Sequence, residues 1–141
     1  MTRMTQEEKE QFLADLHVGI LGINRTDLGP LTVPIWYSYE PGGELQFITG
    51  RKSAKGQLLN VGVRVTLCVQ TEDPPYKYVS VEGAIVSMSG EDGEILPMAK
   101  RYLGEKLGVA YAEQSNEAES LVVRVLPDNW LAVDYSKAES G

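Results

Sequence analysis

Three cations fall within five residues at Arg51-Lys52-Ser53-Ala54-Lys55, in a chain whose charge otherwise runs the other way, with 13 Lys and Arg against 20 Asp and Glu and a net charge of -7. A tight cluster of the minority sign points to an anionic ligand. Leu45, Phe47 and Thr49 alternate with Gln46, Ile48 and Gly50, and Val65 to Val69 is a short apolar run, so one strand precedes the cluster and another follows it. The residues between them predict a short helix with Ser53 as N-cap. Its side chain would accept a backbone N–H, while the free N–H groups of the first turn face whatever lies in front. Backbone donors, a helix start and three cations make a phosphate cradle. A Ser-capped surface helix beside solvated lysines is the plainer alternative for the same residues.

Other chemistries have little to build on. The chain has no Gly-x-Gly-x-x-Gly after a strand, no Walker loop, no nucleophile elbow, no Cys/His metal spacing and no Asp-x-Asp-x-Asp run. The single histidine, His17, sits where a helix gives way to a strand and suits a capping or solvent-facing role. Cys68 has no disulfide partner and reads as a small buried hydrophobe in a reducing cytosol. A bound organic cofactor that brings its own reactivity fits better, with the protein supplying a phosphate clamp, orientation and an apolar wall. Trp36, Tyr37, Tyr76, Tyr78 and Trp130 are candidates for that wall, each also suited to the core or a dimer interface. Overall acidity argues against a nucleic-acid backbone as partner. The polar N-terminus and the lack of an apolar run of about 20 residues argue against a signal peptide or membrane span, so a soluble cytoplasmic protein is expected.

The elements that must position these groups follow from pattern. Thr5 and Glu8 form a capping-box pair, opening a helix that ends near Asp15 and carries Phe12, Leu13 and Leu16 on one side. His17 to Asn24 is the first strand, with Gly19 and Gly22 where a curved strand needs no side chain. Asp27, Gly29 and Pro30 form a turn, and Leu31 to Tyr39 a second strand in which Pro34 marks an edge or a bulge. Pro41-Gly42-Gly43 closes a hairpin into the strand from Glu44. Tyr76 to Met88 is the longest strand, bent at Gly83, followed by an amphipathic helix from Glu94 to Leu103. Gly104 to Ser115 reads as a loop plus a short helix, and Glu113 to Glu119 as a solvated acidic loop. Leu121 to Leu126 and Asn129 to Tyr135 are strands separated by a turn at Pro127-Asp128. Six or seven strands without βαβ alternation predict one mainly β domain over residues 1–141, a small antiparallel barrel with peripheral helices.

The succession Pro34-Ile35-Trp36-Tyr37, Phe47-Ile48-Thr49-Gly50, Ser53-Ala54-Lys55 and the strand from Val65 resembles the split-barrel flavin proteins related to pyridoxamine 5'-phosphate oxidase. Pro75-Tyr76-Lys77-Tyr78-Val79-Ser80-Val81-Glu82-Gly83, Arg101-Tyr102-Leu103-Gly104, Asp128-Asn129-Trp130 and Asp134-Tyr135 resemble the branch of flavin and deazaflavin oxidoreductases, many of which use coenzyme F-420. The likeness covers nearly the whole chain. It implies a homodimer of six-stranded antiparallel split β-barrels with Greek-key order, and two cofactor sites between protomers. The phosphate would be held by Thr49, Ser53 and Lys55, and the tricyclic ring would lie along Pro34, Ile35, Trp36 and Tyr37, beside Ile48 and Gly50. Tyr78 would reach the cofactor across the dimer, with Trp130 as a weaker part of the same wall. The remaining pocket walls would come from the loops near Pro74 and Asn116 and from the partner.

Two departures bear on the activity. The vitamin-phosphate oxidases carry Arg-Lys where this chain has Ala54-Lys55, and a C-terminal arginine motif that the segment after Trp130 lacks. Oxidation of pyridoxamine phosphate is therefore not expected. The positive charge has moved upstream to Arg51 and Lys52, which suits a cofactor with a phosphate and further carboxylates, such as the deazaflavin with its glutamyl tail. The expectation is a reductase that passes a hydride between coenzyme F-420 and an unsaturated small molecule, with no protein side chain acting as acid or base. FMN on the same barrel is the alternative, and a non-catalytic flavin or haem binder, with His17 as axial ligand, is a third.

Overall fold

The structure is a computed structural model that describes residues 2–115 and 119–140. Helix α1 (Gln6–Ala14) begins with the expected capping box: the Glu8 N–H donates to Thr5 Oγ1 at 3.1 Å, and the Thr5 N–H donates to Glu8 Oε1 at 2.8 Å. Phe12 and Leu13 face inward, and His17 Nε2 lies 2.9 Å from the Phe12 carbonyl oxygen at the helix end. Strands β1 (Gly19–Arg25) and β2 (Leu28–Ile35) then form a hairpin whose turn is Thr26-Asp27, ahead of the expected Gly29-Pro30. Asp27 takes φ 61°, a conformation its short polar side chain tolerates, so the strand resumes at Leu28.

The remaining strands are β3 (Ser38–Tyr39), β4 (Leu45–Gly50), β5 (Arg64–Gln70), β6 (Lys77–Gly90) and β7 (Ser120–Asp134), with helix α2 (Ile95–Gln114) between the last two. All pairings are antiparallel, in the order β2-β1-β5-β6-β7-β4-β3. The two ends of that order, β2 and β3, are consecutive in sequence and separated only by Trp36 and Tyr37. They are one extended segment that changes partner, from β1 to β4. Counted as one, the seven strands become the six expected, and the sheet closes on itself as a split barrel. Closure leaves no long unpaired edge except at the break. Inward-facing residues alternate along each strand and fill the interior, among them Leu21, Phe47, Leu67, Val81, Val123 and Val125, all at most 2% exposed.

Two local expectations are corrected. Pro127-Asp128 is a β-bulge, not a turn: Glu82 pairs with Asn129 and Gly83 with Pro127, leaving Asp128 extra within a continuous β7. Gly83 permits this, because a Cβ there would collide with the Leu126 carbonyl oxygen. The extra residue turns its carboxylate to Arg64, whose two terminal nitrogens lie 2.6 and 2.9 Å from it. The stretch after Leu103 is also not a loop. Helix α2 breaks at Gly104, at φ 84°, then resumes and folds back on itself. Gly108 lies against the backbone of Ala99 and Lys100, where any Cβ would come 2.7 Å from the Lys100 Cα. The helix reaches Gln114, inside the segment expected to be an acidic loop, whose residues 116–118 lie outside the described ones. Among the described residues, no helix is long and apolar enough to cross a membrane.

Candidate functional site

The partner switch at Trp36-Tyr37 creates the site. β3 pairs with β4 only at Ser38–Gln46 and Tyr39–Leu45, so the end of β2 and the far half of β4 diverge. A cleft of about 800 Å³ lies between them, within the size range of pockets that hold cofactors. Pro34, Ile35 and Trp36 line one side; Ile48, Thr49, Gly50 and Lys55 line the other. Pro34 suits its place, because a residue without an N–H loses nothing on a strand edge that has no partner.

Helix α2 holds the break open and supplies a third wall. The Tyr102 hydroxyl lies 2.6 Å from the His17 carbonyl oxygen, to which it donates, and accepts the Tyr37 N–H at 3.0 Å. The Arg101 guanidinium donates to the carbonyls of Tyr37, Ala14 and Asp15 at 3.0 to 3.3 Å. These two side chains satisfy main-chain groups that the broken ladder would leave bare. Trp36 stacks on Tyr102, with centroids 5.1 Å apart and planes 5° apart, and Tyr111 leans on it at 5.2 Å and 52°. Ile95, Met98, Tyr111, Gln114 and Ser115 of this region complete the cleft with Glu119 and Ser120.

At the basic loop, the Ser53 hydroxyl donates to the Gly50 carbonyl at 2.9 Å, accepts the Gly56 N–H at 3.0 Å and lies 3.1 Å from Thr49 Oγ1. Ser53 therefore accepts a backbone N–H, as expected, but within the loop and not as a helix cap: the position before the turn is Lys55, whose side chain makes no capping bond. The predicted helix does not form: a single 3-10 turn, Gly56–Leu58, stands in its place, so no helix dipole reinforces the site. The loop reverses too tightly for more, since a Cβ on Gly56 would collide with the Gly50 carbonyl oxygen. The N–H groups of Ala54 and Lys55 have no hydrogen-bond partner among the described residues. Lys55 is half-buried, and burial pulls its ammonium pKa below the usual 10.5. No carboxylate among the described residues lies within ion-pair distance of it. A half-desolvated cation with no counter-charge among the described residues, next to two unused amides and across the cleft from a stacked indole, fits a phosphate-bearing planar cofactor.

Seven of the predicted site residues, Pro34, Ile35, Trp36, Ile48, Thr49, Gly50 and Lys55, line this cleft. Ser53 stands behind it, its hydroxyl used within the loop. Arg51 and Lys52 are exposed on the loop and not on the cleft wall, with Lys52 Nζ 3.8 Å from the Glu119 carboxylate. Tyr37, Tyr78 and Trp130 are also off the wall. Strand alternation turns the Tyr37 side chain into the core, where its hydroxyl donates to the Leu13 carbonyl at 2.6 Å, and burial raises its pKa. Tyr78 lies on the outer sheet face, since its neighbour Val79 points inward, and Trp130 packs edge-on to Tyr39 at 6.1 Å. The loop near Pro74 contributes nothing to the cleft wall, and Asn116 lies outside the described residues. His17 is not on the cleft wall, although Val18 next to it is. Its ring packs on Phe12 at 4.5 Å, and desolvation holds its pKa below 6.5. Tyr102, Tyr111 and Met98 were not foreseen. In one unbroken helix, Tyr102 and Tyr111 would point about 180° apart, and only the break at Gly104 brings both rings to Trp36.

No protein-family model matches the chain, and no curated protein sequence does either. Solved structures do share its fold. A conserved hypothetical protein from Mycobacterium tuberculosis is 22% identical, with a TM-score of 0.77 over 98% of this chain and 89% of that one. A protein described as an F-420 reductase is 25% identical, with a TM-score of 0.62 over 86% of this chain and 94% of that one. An FAD- and haem-binding protein from Mycobacterium smegmatis is 16% identical, with a TM-score of 0.68 over 94% of this chain and 72% of that one. The fold is the split barrel of flavin-binding proteins related to pyridoxamine 5'-phosphate oxidase, as the sequence resemblance implied.

Proposed function

We propose that this protein is a cytoplasmic oxidoreductase that binds a phosphate-bearing deazaflavin coenzyme, F-420, in the cleft beside Trp36 and reduces an unsaturated small molecule over the ring. The observation that carries this reading is that one cleft holds Lys55, half-buried with no acid partner among the described residues, and, on the opposite side, Trp36, fixed by its stack on Tyr102. Lys55, Thr49 and the free amides of Ala54 and Lys55 hold the phosphate. Pro34 to Trp36 and Ile48 bracket the ring. Arg51 and Lys52, exposed at the rim, suit the carboxylates of a glutamyl tail. When bound, the coenzyme supplies the hydride, and the protein's part is to orient it and keep water from its face.

The same reading includes a homodimer. Ile20, Cys68, Ser80 and Leu131 stand side by side across β1, β5, β6 and β7 on the outer face, with Ile20 43% and Leu131 60% exposed. A second copy would cover that apolar row, and Tyr78, on the same face, would reach toward the partner's cleft. Trp130 faces the barrel interior and takes no part.

FMN is the second reading, because one cradle of Lys55 and Thr49 serves the phosphate of either molecule. Fluorescence titration of the purified apoprotein with F-420 and FMN side by side tests both. Tighter binding of F-420 supports the reductase, tighter binding of FMN replaces it with a flavoenzyme, and binding of neither removes the cofactor site.

A further inference from the structure

Charge is unevenly spread along the cleft. Among the described residues that line it, the charged ones are Lys55 and Glu119, and both stand at the basic-loop end: Lys55 within the loop, Glu119 with its carbonyl accepting the Arg51 N–H at 2.8 Å. The wall supplied by the second half of α2 is different. Tyr111 and Gln114 line the cleft there, three residues apart and so on one face of the helix. Gly108 seats this half against the backbone of Ala99 and Lys100, which makes it a fixed element and not a loose arm. The Tyr111 ring meets the Trp36 ring at 52°, so two aromatic planes form a wedge. Val18 and Tyr111 are 55% and 48% exposed, apolar surface on a concave wall that a ligand would cover. Ser115 spends its hydroxyl on the Tyr111 carbonyl at 3.0 Å, whereas the Tyr111 hydroxyl and the Gln114 amide have no hydrogen-bond partner among the described residues.

We propose that Tyr111 and Gln114 form a substrate subsite for a neutral, planar, conjugated carbonyl compound, whose ring lies against Tyr111 and whose carbonyl oxygen accepts from the Tyr111 hydroxyl and the Gln114 amide. The inference rests on the reductase reading above and adds to it the class of substrate and the residues that select it. A carbonyl oxygen has two lone pairs and so takes both donors. Neutrality follows from desolvation: a carboxylate or ammonium at this end would lose water and meet no opposite charge on the wall, a cost larger than two neutral hydrogen bonds return. Planarity follows from the wedge of rings and from Val18, Ile95 and Met98, which offer apolar contact and almost no hydrogen bonding. Two donors on one carbonyl oxygen also draw electron density from the conjugated double bond, as a hydride acceptor requires.

The probes are chromone, a neutral planar enone; chromone-2-carboxylate, its charged relative; and benzofuran, planar and neutral without the carbonyl. Each is titrated by calorimetry against the unloaded protein and against protein saturated with whichever of oxidised F-420 or FMN it binds. Chromone should bind about ten-fold or more tighter than either of the others, loaded or unloaded. Tyr111→Phe and Gln114→Leu each remove one donor. Each should weaken chromone about three- to ten-fold and leave benzofuran and the cofactor unchanged. Both side chains are exposed, so the variants should keep the wild-type circular dichroism. Chromone affinity unchanged in both variants, equal affinity for chromone and its carboxylate, or displacement of chromone by the cofactor overturns the subsite and leaves the cofactor reading in place. Loss of cofactor affinity in the same variants overturns it too, since these residues would then belong to the cofactor site. Failure of the wild-type protein to bind F-420 or FMN removes the cofactor reading, while the titrations of unloaded protein still decide the subsite.

Discussion

Lys55 brings a positive charge into a half-buried position that no described carboxylate offsets, a cost the fold would not carry without a ligand to meet it. Lys55→Ala should weaken the binding of a phosphate-bearing cofactor more than ten-fold, the scale of a lost charge-assisted hydrogen bond of roughly 1.5 to 3 kcal/mol; unchanged affinity in a fluorescence titration would remove the site assignment. The pH dependence has a definite sign. Burial lowers the Lys55 pKa, so the cationic form is lost at a lower pH than for a surface lysine, and affinity should decline on the alkaline side below 10.5. Gly56 is the residue on which the loop turns, and Gly56→Ala should lower both thermal stability and cofactor affinity, read by a melting curve and the same titration. Lys55 was legible from residue type and spacing, because an isolated basic cluster after an alternating strand has few uses, whereas Thr49 was pointed to by the family resemblance alone. Tyr37 was misleading. Its residue type suits a ring contact, but the pleat at that position turns it inward.

Among the elements, α2 matters most for the cleft, since the Arg101 and Tyr102 side chains stitch the broken strand to the end of α1. Tyr102→Phe keeps the stack on Trp36 but strands the Tyr37 N–H and the His17 carbonyl. It should cost about 1 to 3 kcal/mol and lower the melting temperature by roughly 3 to 10 °C, as measured by calorimetry. Helix α1 gives a pH prediction. The Lys137 ammonium, 2.7 Å away, followed by the Thr5 N–H, holds the Glu8 carboxyl at about 2 against a usual 4.5. A depressed carboxyl pKa contributes stability above 4.5 that is lost as the pH falls toward 2. Glu8→Gln should flatten that part of the acid-unfolding curve. The capping box was readable because it is local, two side chains three residues apart closing on each other's backbone. The corner in α2 was less so: Gly104 marks a break, but its direction is set by the contact of Gly108 with Lys100, which no sequence period encodes.

At the scale of the whole molecule, the outer apolar row makes association the main prediction. Leu131→Glu should shift the protein from twice the chain mass to the chain mass in light scattering, while its circular dichroism stays unchanged because the residue is 60% exposed. The sequence by itself determined the strands, the antiparallel class, the capped first helix and the position of the basic loop, since each is written in a short-range pattern of polarity, β-branching and turn residues. Pattern also pointed to a closed barrel, and the likeness to split-barrel flavin proteins supplied its split form and a strand count that pattern alone left between six and seven. Tertiary structure decided where one strand changes partners, because a pairing switch depends on the register of β2 against β1 and of β3 against β4, and each half reads as ordinary strand. It also decided which aromatics face the cleft, and that Glu119 shares it with Lys55. Those positions are 64 residues apart, and only the pairing of β4 with β7 brings them to one wall.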